Sequence, residues 1–215
     1  MLFDNRYQAG ELLARRLKKL KLSPKSTLVA AIPRGGVVVG QAIAQKLGLP
    51  LTCVVIKKLG APFNPELAIG ATAAAGKPVL DRWLIADLDV GADYLKKELI
   101  KKKKEARSRE KFLGVTLAKE RIIGKVLVVV DDGLATGQTA RAAAKVIRAF
   151  GPKKLILAVP CASPVTMELV KEDYDEIVCL EISPDLFAVG QFYRDFRPVS
   201  DKEVKSILTS GKLTN

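Results

Sequence analysis

Residues 125–140 constrain the fold of this 215-residue chain more than any other stretch. Five apolar residues at 126–130, four of them valine, predict a strand that is buried on both faces. Two adjacent carboxylates, Asp131 and Asp132, follow where that strand should end. A loop of small residues then leads into an alanine-rich run with helical periodicity at 138–150. This order predicts a strand of a parallel sheet that is followed by a helix packed on the sheet.

The loop at 133–139 has the character of an anion site. In an open parallel sheet, ligands bind beyond the carboxyl ends of the strands, which is where this loop should lie. Free N–H groups and the helix dipole favour an anion there, and Thr136 and Thr139 add hydroxyl donors. Asp131 and Asp132 would repel a phosphate, but adjacent carboxylates suit the cis diol of a ribose or a hydrated Mg²⁺. The stretch therefore predicts a ribose 5-phosphate site, and the plainer alternative is a turn in which an aspartate caps the helix.

Composition excludes several classes of chemistry. The chain has no histidine, so Ser-His-Asp and Cys-His catalysis and histidine-ligated metals are excluded. The cysteines Cys53, Cys161 and Cys179 are far apart and form no CxxC motif, so we expect small buried hydrophobes rather than zinc ligands or disulfides. No apolar run approaches the roughly 20 residues of a membrane span, and no signal peptide is visible, so we expect a cytoplasmic protein without a membrane partner.

The alternation of patterns along the chain predicts an α/β fold. Strand-like runs alternate with helical ones, which gives a doubly wound, mostly parallel five-stranded sheet with a small C-terminal hood. We expect the core domain at residues 1–180 and the hood segment with its helix at 181–215. Strands are predicted at 27–32, 52–56, 126–130, 155–159 and 176–180, and helices at 7–20, 37–47, 93–112, 138–150, 163–171 and 201–208.

Two further strand ends carry cations. Arg34 and Gly35 follow the first strand, and an arginine fork suits phosphate oxygens. Lys57 and Lys58 follow the second strand and could neutralise a diphosphate. The Gly/Pro-rich stretch after these lysines should be irregular, either as a lid over the substrate or as an ordinary hairpin loop.

The net charge of +13 is concentrated in the predicted helix at 93–112, which holds nine lysines and arginines. A solvated face with ion pairs between neighbouring turns explains this composition. The alternative is RNA binding through phosphates, without base stacking because Tyr94 and Phe112 are the only aromatic residues of the segment.

Residues 128–140 resemble the phosphoribosyl-pyrophosphate (PRPP) binding motif of type I phosphoribosyltransferases: four apolar residues, two acidic residues and a small-residue loop that ends in threonine. The layout as a whole resembles a broad group of predicted bacterial and archaeal phosphoribosyltransferases over nearly the full chain. The resemblance implies a PRPP 5-phosphate site formed by Gly133, Leu134, Ala135, Thr136, Gly137, Gln138 and Thr139. It implies a pyrophosphate site formed by Arg34, Gly35, Lys57, Lys58 and Arg194, and catalytic roles for Asp131, Asp132, Lys57 and Arg34.

The same resemblance extends to the acceptor end. Residues 187–190 resemble the Phe-Val-Val-Gly stretch of purine phosphoribosyltransferases, which implies that Phe187 and Val189 bind the acceptor. Ala135 and Pro160 stand where hypoxanthine–guanine enzymes carry an aspartate and a base-reading lysine, so two groups that would recognise a 6-oxopurine are missing.

The implied function is transfer of a 5-phosphoribosyl group from PRPP to a nucleobase or related small acceptor, with release of pyrophosphate. Mg²⁺ is the implied cofactor, held by Asp131 and Asp132 through water. We expect a homo-oligomer. The alternative is a regulator on the same fold that senses PRPP or a nucleotide and binds RNA through the helix at 93–112. A nucleosidase or hydrolase is less favoured, because no histidine or other obvious base is present to activate water.

Overall fold

The computed structural model describes residues 2–210, in which strands and helices alternate. The strands are β1 (Thr27–Ala31), β2 (Leu51–Cys53), β3 (Lys57–Gly60), β4 (Ala68–Thr72), β5 (Val79–Leu80), β6 (Val126–Val130), β7 (Lys154–Ala162) and β8 (Glu176–Ile182). The helices are α1 (Arg6–Leu17), α2 (Gly35–Leu47), α3 (Arg82–Asp87), α4 (Ala92–Leu113), α5 (Gln138–Arg148), α6 (Pro164–Lys171) and α7 (Asp201–Ser210). Short 3-10 helices lie at Lys18–Leu20, Lys119–Arg121 and Val189–Phe192.

Within residues 2–210 the main sheet has five strands in the order β2-β1-β6-β7-β8, and every neighbouring pair is parallel. This confirms the predicted doubly wound α/β fold. The valine-rich strand β6 lies at the centre and is covered on both faces. Val128 and Val130 pack into the core formed with α1 and α2, whereas Leu127 and Val129 pack into the core formed with α5. The alternation of side chains along a strand thus explains why nearly every position of β6 is apolar.

A separate antiparallel sheet is formed by β3, β4 and β5. The segment after Ile56 forms a hairpin: Lys57 and Lys58 begin β3, and residues 61–67 form its loop. The predicted strand at 52–56 is correspondingly too long, because the chain leaves the main sheet after Cys53 to enter this hairpin. The proposed closure of the loop over a substrate stays a prediction.

The long helix α4 supports this small sheet. Leu59 and Ile69 of the sheet pack with Leu95 and Leu99 of α4, and the Tyr94 hydroxyl donates to the carbonyl oxygen of Gly60 at 2.9 Å. Along the same helix, the half-buried Lys102 ammonium lies 3.7 Å from Glu98 and 3.4 Å from Glu105. The expected ion pairs between turns are therefore present, while RNA binding by this helix stays a prediction.

The segment that follows β8 returns to the first residues of the chain. The Phe3 N–H donates to the Phe192 carbonyl, and the Arg194 N–H donates to the Phe3 carbonyl, each at 2.8 Å. The predicted hood, residues 181–215, begins inside β8, and its last five residues, 211–215, lie outside the described part of the chain. Met1 of the predicted core domain lies outside it as well. Among the helices within residues 2–210, none combines the length and the apolar character needed to span a bilayer.

Glu110 of α4 is an acidic side chain in the interior. It is 6% exposed, and its Oε1 atom has no hydrogen-bond partner within residues 2–210. Burial raises the pKa of this carboxyl above 4.5, although a hydrogen bond from the Leu117 backbone and the charge of Arg107 act in the opposite direction. The folded state therefore disfavours the ionised form of Glu110 relative to the unfolded chain.

The substitution Glu110→Gln is expected to raise the free energy of unfolding at pH 7.5 by about 1 kcal/mol, because it removes a buried charge and keeps the shape. A carboxyl with a raised pKa in the folded state stabilises the fold below its unfolded pKa, and this contribution is lost as the pH rises through the folded value. The gain should therefore shrink near pH 4. Urea unfolding at both pH values checks this, with the exposed Glu120→Gln as control. A loss of stability at pH 7.5 would contradict it.

Candidate active site

The two carboxylates at the carboxyl end of β6 have different surroundings. The Oδ2 atom of Asp132 accepts a hydrogen bond from Arg6 Nε at 2.7 Å, and both side chains are largely buried. Asp131 has no ion-pair partner within residues 2–210, and its Oδ1 atom accepts from the Asp132 N–H at 2.9 Å. Burial and then the neighbouring charge of Asp132 raise the pKa of Asp131 well above its ordinary value. The pair thus consists of one fixed carboxylate and one with free acceptor capacity.

The loop between β6 and α5 is held on its inner side. The Leu134 N–H donates to the Cys161 carbonyl of β7 at 2.8 Å. The carbonyl of Ala135 accepts from the Thr166 hydroxyl of α6 at 2.9 Å. The contacts from β7 and α6 fix the loop while using one of its N–H groups.

The outer side of the same loop presents free donors. The N–H groups of Ala135, Thr136 and Gly137 donate to no acceptor within residues 2–210. Gly137 is the N-cap of α5, with φ of +69°, and a glycine adopts this angle without the clash that a Cβ causes. Unpaired amides at the start of a helix are able to bind an anion, so the loop has the donors that the predicted anion site requires, while the site itself stays a prediction.

A cavity of about 420 Å³ lies where β1 leads into α2 and is bounded on one side by Thr139 of the loop at 133–139. Its lining includes Arg34, Lys57, Arg109 and Thr139. The peptide bond between Pro33 and Arg34 at its edge is cis. Cations from the β1–α2 loop, the β3 hairpin and α4 thus converge on one space of a size that accommodates a diphosphate.

Carboxylates from outside the cavity hold two of its cations. The Lys57 ammonium lies 3.3 Å from Glu105. The Arg109 guanidinium donates to both carboxylate oxygens of Asp201, each at 2.8 Å. The hydrogen bond from Arg109 holds the pKa of Asp201 below its ordinary value, although burial acts in the opposite direction. Asp201 therefore accompanies Arg109 as its ionised partner at neutral pH.

The adjacent lysines of β3 do not share a cavity. Lys57 lines the 420 Å³ cavity, whereas Lys58 donates to Gln138 Oε1 at 3.3 Å and lines a groove of about 710 Å³ between the hairpin and α5. Successive side chains of a strand point to opposite faces, and this separates the lysines. Lys57 and Lys58 therefore do not face the same space, and Arg109 is the cation that lines the 420 Å³ cavity beside Lys57. The predicted role of both lysines in binding pyrophosphate stays a prediction.

Comparison with known proteins agrees with this geometry. A family model described as the phosphoribosyl transferase domain matches residues 4–197. The chain belongs to this family. A Thermus thermophilus protein of known crystal structure, TT1426, is 39% identical with a TM-score of 0.86, and the match covers 98% of this chain and 99% of that one. The phosphoribosyltransferase fold predicted from the sequence is thereby confirmed.

Two Mycobacterium tuberculosis proteins, from strains CDC 1551 and H37Rv, are named provisionally as phosphoribosyl transferases and are 41% identical to this chain over 213 residues. The match covers 96% of this chain but 46% of each relative, so the phosphoribosyltransferase domain described here spans about half their length. By family and fold the chain is a transferase domain.

The residues expected at the acceptor end of this phosphoribosyltransferase domain lie at its surface and beside the loop. The ring of Phe187 is 87% exposed. Val189 packs on Gly133 so closely that a Cβ at Gly133 would lie 2.5 Å from Val189 Cγ1. Gln191 Oε1 accepts from the N–H groups of Phe187 and Ala188 and fixes this turn. Val189 is thus placed near the 5-phosphate loop, and Phe187 offers a free aromatic face.

Arg194 does not lie at the cavity that Arg34 lines. Its Nη1 atom is 3.0 Å from Asp4 Oδ1, and both side chains are exposed. Arg194 thus lies by Asp4 and not among the residues that line this cavity, and its predicted contact with pyrophosphate stays a prediction. Arg109 supplies a cation there, and Tyr193, next to Arg194, donates its hydroxyl to the Asp132 carbonyl at 2.6 Å.

Sequence reasoning missed Arg6, Arg109 and Tyr193. No local motif marks Arg6, which lies 126 positions from its partner Asp132. Arg109 is one of many cations of α4 and differs from the others only in its position on the helix. Tyr193 directly precedes Arg194, the residue that the resemblance singled out in this segment.

Two of the three cysteines, Cys53 and Cys161, are buried as predicted, whereas Cys179 is half-buried. Cys53, Cys161 and Cys179 are free thiols. Burial is the largest cause that raises the pKa of Cys53 and of Cys161 to about 12 and that of Cys179 to about 11. A thiol with such a pKa is neutral at pH 7, so none of these cysteines is a thiolate nucleophile.

Proposed function

We propose that the domain transfers a 5-phosphoribosyl group from PRPP to a nucleobase or related small acceptor and releases pyrophosphate. The observation that carries the proposal is the row of unpaired amides at Ala135, Thr136 and Gly137 directly beside the buried acid pair. One edge of the sheet thus offers adjacent places for a phosphate and for ribose hydroxyls. Family membership supports the same reaction class.

The 5-phosphate would bind the loop 133–139. Its oxygens would accept from the free amides, and the hydroxyls of Thr136 and Thr139 add donors. The dipole of α5 favours the negative charge at this end of the helix. Because β7 and α6 already hold the inner side of the loop, little ordering is needed when the phosphate binds.

The ribose would face Asp131. This carboxylate has free acceptor capacity, whereas one oxygen of Asp132 is occupied by Arg6. The residues also fit Mg²⁺ in its usual form, which keeps several waters and takes one or two carboxylates together with substrate phosphates. Within residues 2–210 no cluster of three or more acidic, cysteine or histidine side chains could hold a metal by itself. Asp131 would hold Mg²⁺ through water, and the ion would supply charge neutralisation at the diphosphate.

Pyrophosphate would leave toward the cavity lined by Arg34, Lys57 and Arg109. The bond between the anomeric carbon and the diphosphate oxygen breaks, and its electron pair departs with the diphosphate. A bond from the acceptor nucleophile forms at the same carbon, and the proton of the nucleophile passes to solvent. Positive charge develops on the ribose ring in between, so positioning and charge stabilisation supply the catalysis.

The acceptor would lie between the ribose and the turn at 187–191. Phe187 offers a free face on which a planar base can stack, and Val189 closes the side next to Gly133. Ala135 and Pro160 lack polar side chains for reading a 6-oxopurine, so acceptors without that pattern are favoured.

A pyrophosphate-release assay with PRPP, Mg²⁺ and a panel of bases, amines and small acids tests the proposal. We expect at least one acceptor to give release that requires protein and PRPP together. PRPP binding should also be measured by calorimetry on the same preparation. Binding without release from any acceptor would favour a sensing regulator, and a failure to bind PRPP would contradict both.

A further inference from the structure

Arg6 occupies an unusual place for an arginine. It is the first residue of α1, far from the acid pair in sequence, yet it is 8% exposed. Its Nε donates to Asp132 Oδ2 at 2.7 Å, and its Nη1 donates to the Arg197 carbonyl at 2.9 Å. The guanidinium carbon lies 3.7 Å from the centre of the Phe196 ring. These contacts fix both the position and the orientation of the guanidinium.

The contacts around Arg6 leave Asp132 little freedom. Its carboxylate lies between Arg6 and Gly35, where a Cβ would be 1.8 Å from Asp132 Oδ2. Its carbonyl accepts from the Tyr193 hydroxyl at 2.6 Å, and the Tyr193 ring stacks on Phe196 with centroids 5.0 Å apart. One aromatic and cationic cluster therefore fixes both the side chain and the backbone of Asp132.

Asp132 transmits this constraint to Asp131. The N–H of Asp132 donates to Asp131 Oδ1 at 2.9 Å, so the direction of the Asp131 carboxylate depends on the backbone of Asp132. Arg6 also cancels the charge of Asp132, which leaves the acid pair with less repulsion toward a phosphorylated substrate.

We propose that Arg6 is a positioning residue for the acid pair. It holds the Asp132 side chain in a fixed position and thereby orients the Asp131 carboxylate toward the ribose of the substrate. This inference rests on the proposed function and gives the adjacent carboxylates separate tasks. Asp131 contacts the ribose, and Asp132 holds the loop. Arg6 touches no substrate atom and acts through Asp132.

The test compares Arg6→Gln, Arg6→Lys, Asp132→Asn and the double variant Arg6→Gln/Asp132→Asn. Arg16→Gln is the matched control, because Arg16 lies on the same helix and donates to the carbonyls of Cys179 and Leu180, away from the acid pair. Each variant is assayed for PRPP-dependent pyrophosphate release with the best acceptor and for PRPP binding by calorimetry with Mg²⁺.

We expect Arg6→Gln to lower kcat about 10- to 100-fold with a change in KM of about threefold or less. The Asp131 carboxylate would be less precisely oriented, and its orientation matters most in the transition state. Arg6→Lys should recover only part of kcat, because an ammonium cannot reproduce the fork and the stacking. The double variant should be no worse than the worse single variant, because both changes break the same link. Arg16→Gln should leave kcat unchanged.

The proposal would be overturned if the loss of kcat in the double variant equalled the product of the losses in the two single variants. A wild-type kcat in Arg6→Gln would also overturn it. Equal losses in Arg6→Gln and Arg16→Gln would assign Arg6 a purely structural role and also overturn it. A wild-type protein that neither binds PRPP nor releases pyrophosphate would refute the proposed function itself. The two failures are therefore distinguishable, since one shows in the wild type and the other only in the variants.

Discussion

Replacing Asp131 with asparagine is expected to lower kcat/KM for pyrophosphate release by about 100-fold or more, while the folded protein becomes no less stable. The amide keeps an oxygen that accepts from the Asp132 N–H, so the loop retains its shape. It loses the negative charge that would face the ribose. Steady-state kinetics with the best acceptor measures the first effect, and urea unfolding measures the second.

The sign of the stability change follows from the pKa of Asp131. Burial and the charge of Asp132 raise this pKa well above 3.8, so the folded state disfavours the ionised form. The contribution of the carboxyl to stability is present at low pH and is lost as the pH rises through the folded value. At neutral pH the asparagine variant escapes this cost, so lower activity should accompany equal or higher stability.

Asp132→Asn is the contrasting variant, because it should lower the stability of the protein, whereas Asp131→Asn should not. This substitution leaves the buried Arg6 without its ionised partner and should lower the free energy of unfolding by about 1.5–3 kcal/mol. Asp87→Asn on the exposed end of α3 is the control for the chemical change itself. Stability changes of the same sign at 131 and 132, or retained activity in Asp131→Asn, would contradict the division of tasks between the two aspartates.

Gly35→Ala is expected to be both inactive and unstable. The new Cβ would lie 1.8 Å from Asp132 Oδ2 and 2.7 Å from Arg6 Nε, so the buried ion pair must separate. Overpacking of this kind costs about 1–3 kcal/mol, which for a chain of this length lowers Tm by about 2–4 °C per kcal/mol. We expect kcat/KM to fall about 100-fold, because the acid pair moves. Thermal unfolding and kinetics on one preparation check both effects.

Gly91→Ala at the N-cap of α4 is the control for an added Cβ in open space, since no atom lies within 4 Å of that Cβ. An N-cap favours glycine over alanine, so this variant should lose about 1 kcal/mol of stability or less and keep its activity. A stable and active Gly35→Ala protein would show that the carboxylate can move without loss, and would argue against a fixed role for Asp132.

Much of the fold was predictable from local pattern. The valine-rich strand β6, the loop after it and the start of α5 lie where the sequence places them, because burial on both faces and helical periodicity show in neighbouring residues. The loop at 133–139 was predictable for the same reason: small residues, hydroxyls and acids occur together within a few positions. The family resemblance rests on these same residues.

Contacts between distant elements were not predictable in this way. Lys57 and Lys58 point in opposite directions because β3 pairs with β4. The Gly/Pro-rich stretch between these strands shows no pattern from which the pairing could be predicted. The convergence of Arg109 on the cavity depends on how α4 packs against the small sheet. Arg6 carries no local signal, because its role arises from the return of the chain near residue 193 to the first residues.

The hydrogen bond from Arg6 to the Arg197 carbonyl joins residues 191 positions apart, so it forms only after both have left the ribosome during translation. Strand β6 and its acidic turn leave the ribosome well before the aromatic residues that clamp them. Pairing across so long a separation forms late, after the local elements and the sheet. A nascent chain that stops short of Phe196 would hold the five strands of the main sheet while Arg6 still lacks its aromatic contact, so the acid pair should be fixed only after Phe196 has been synthesised.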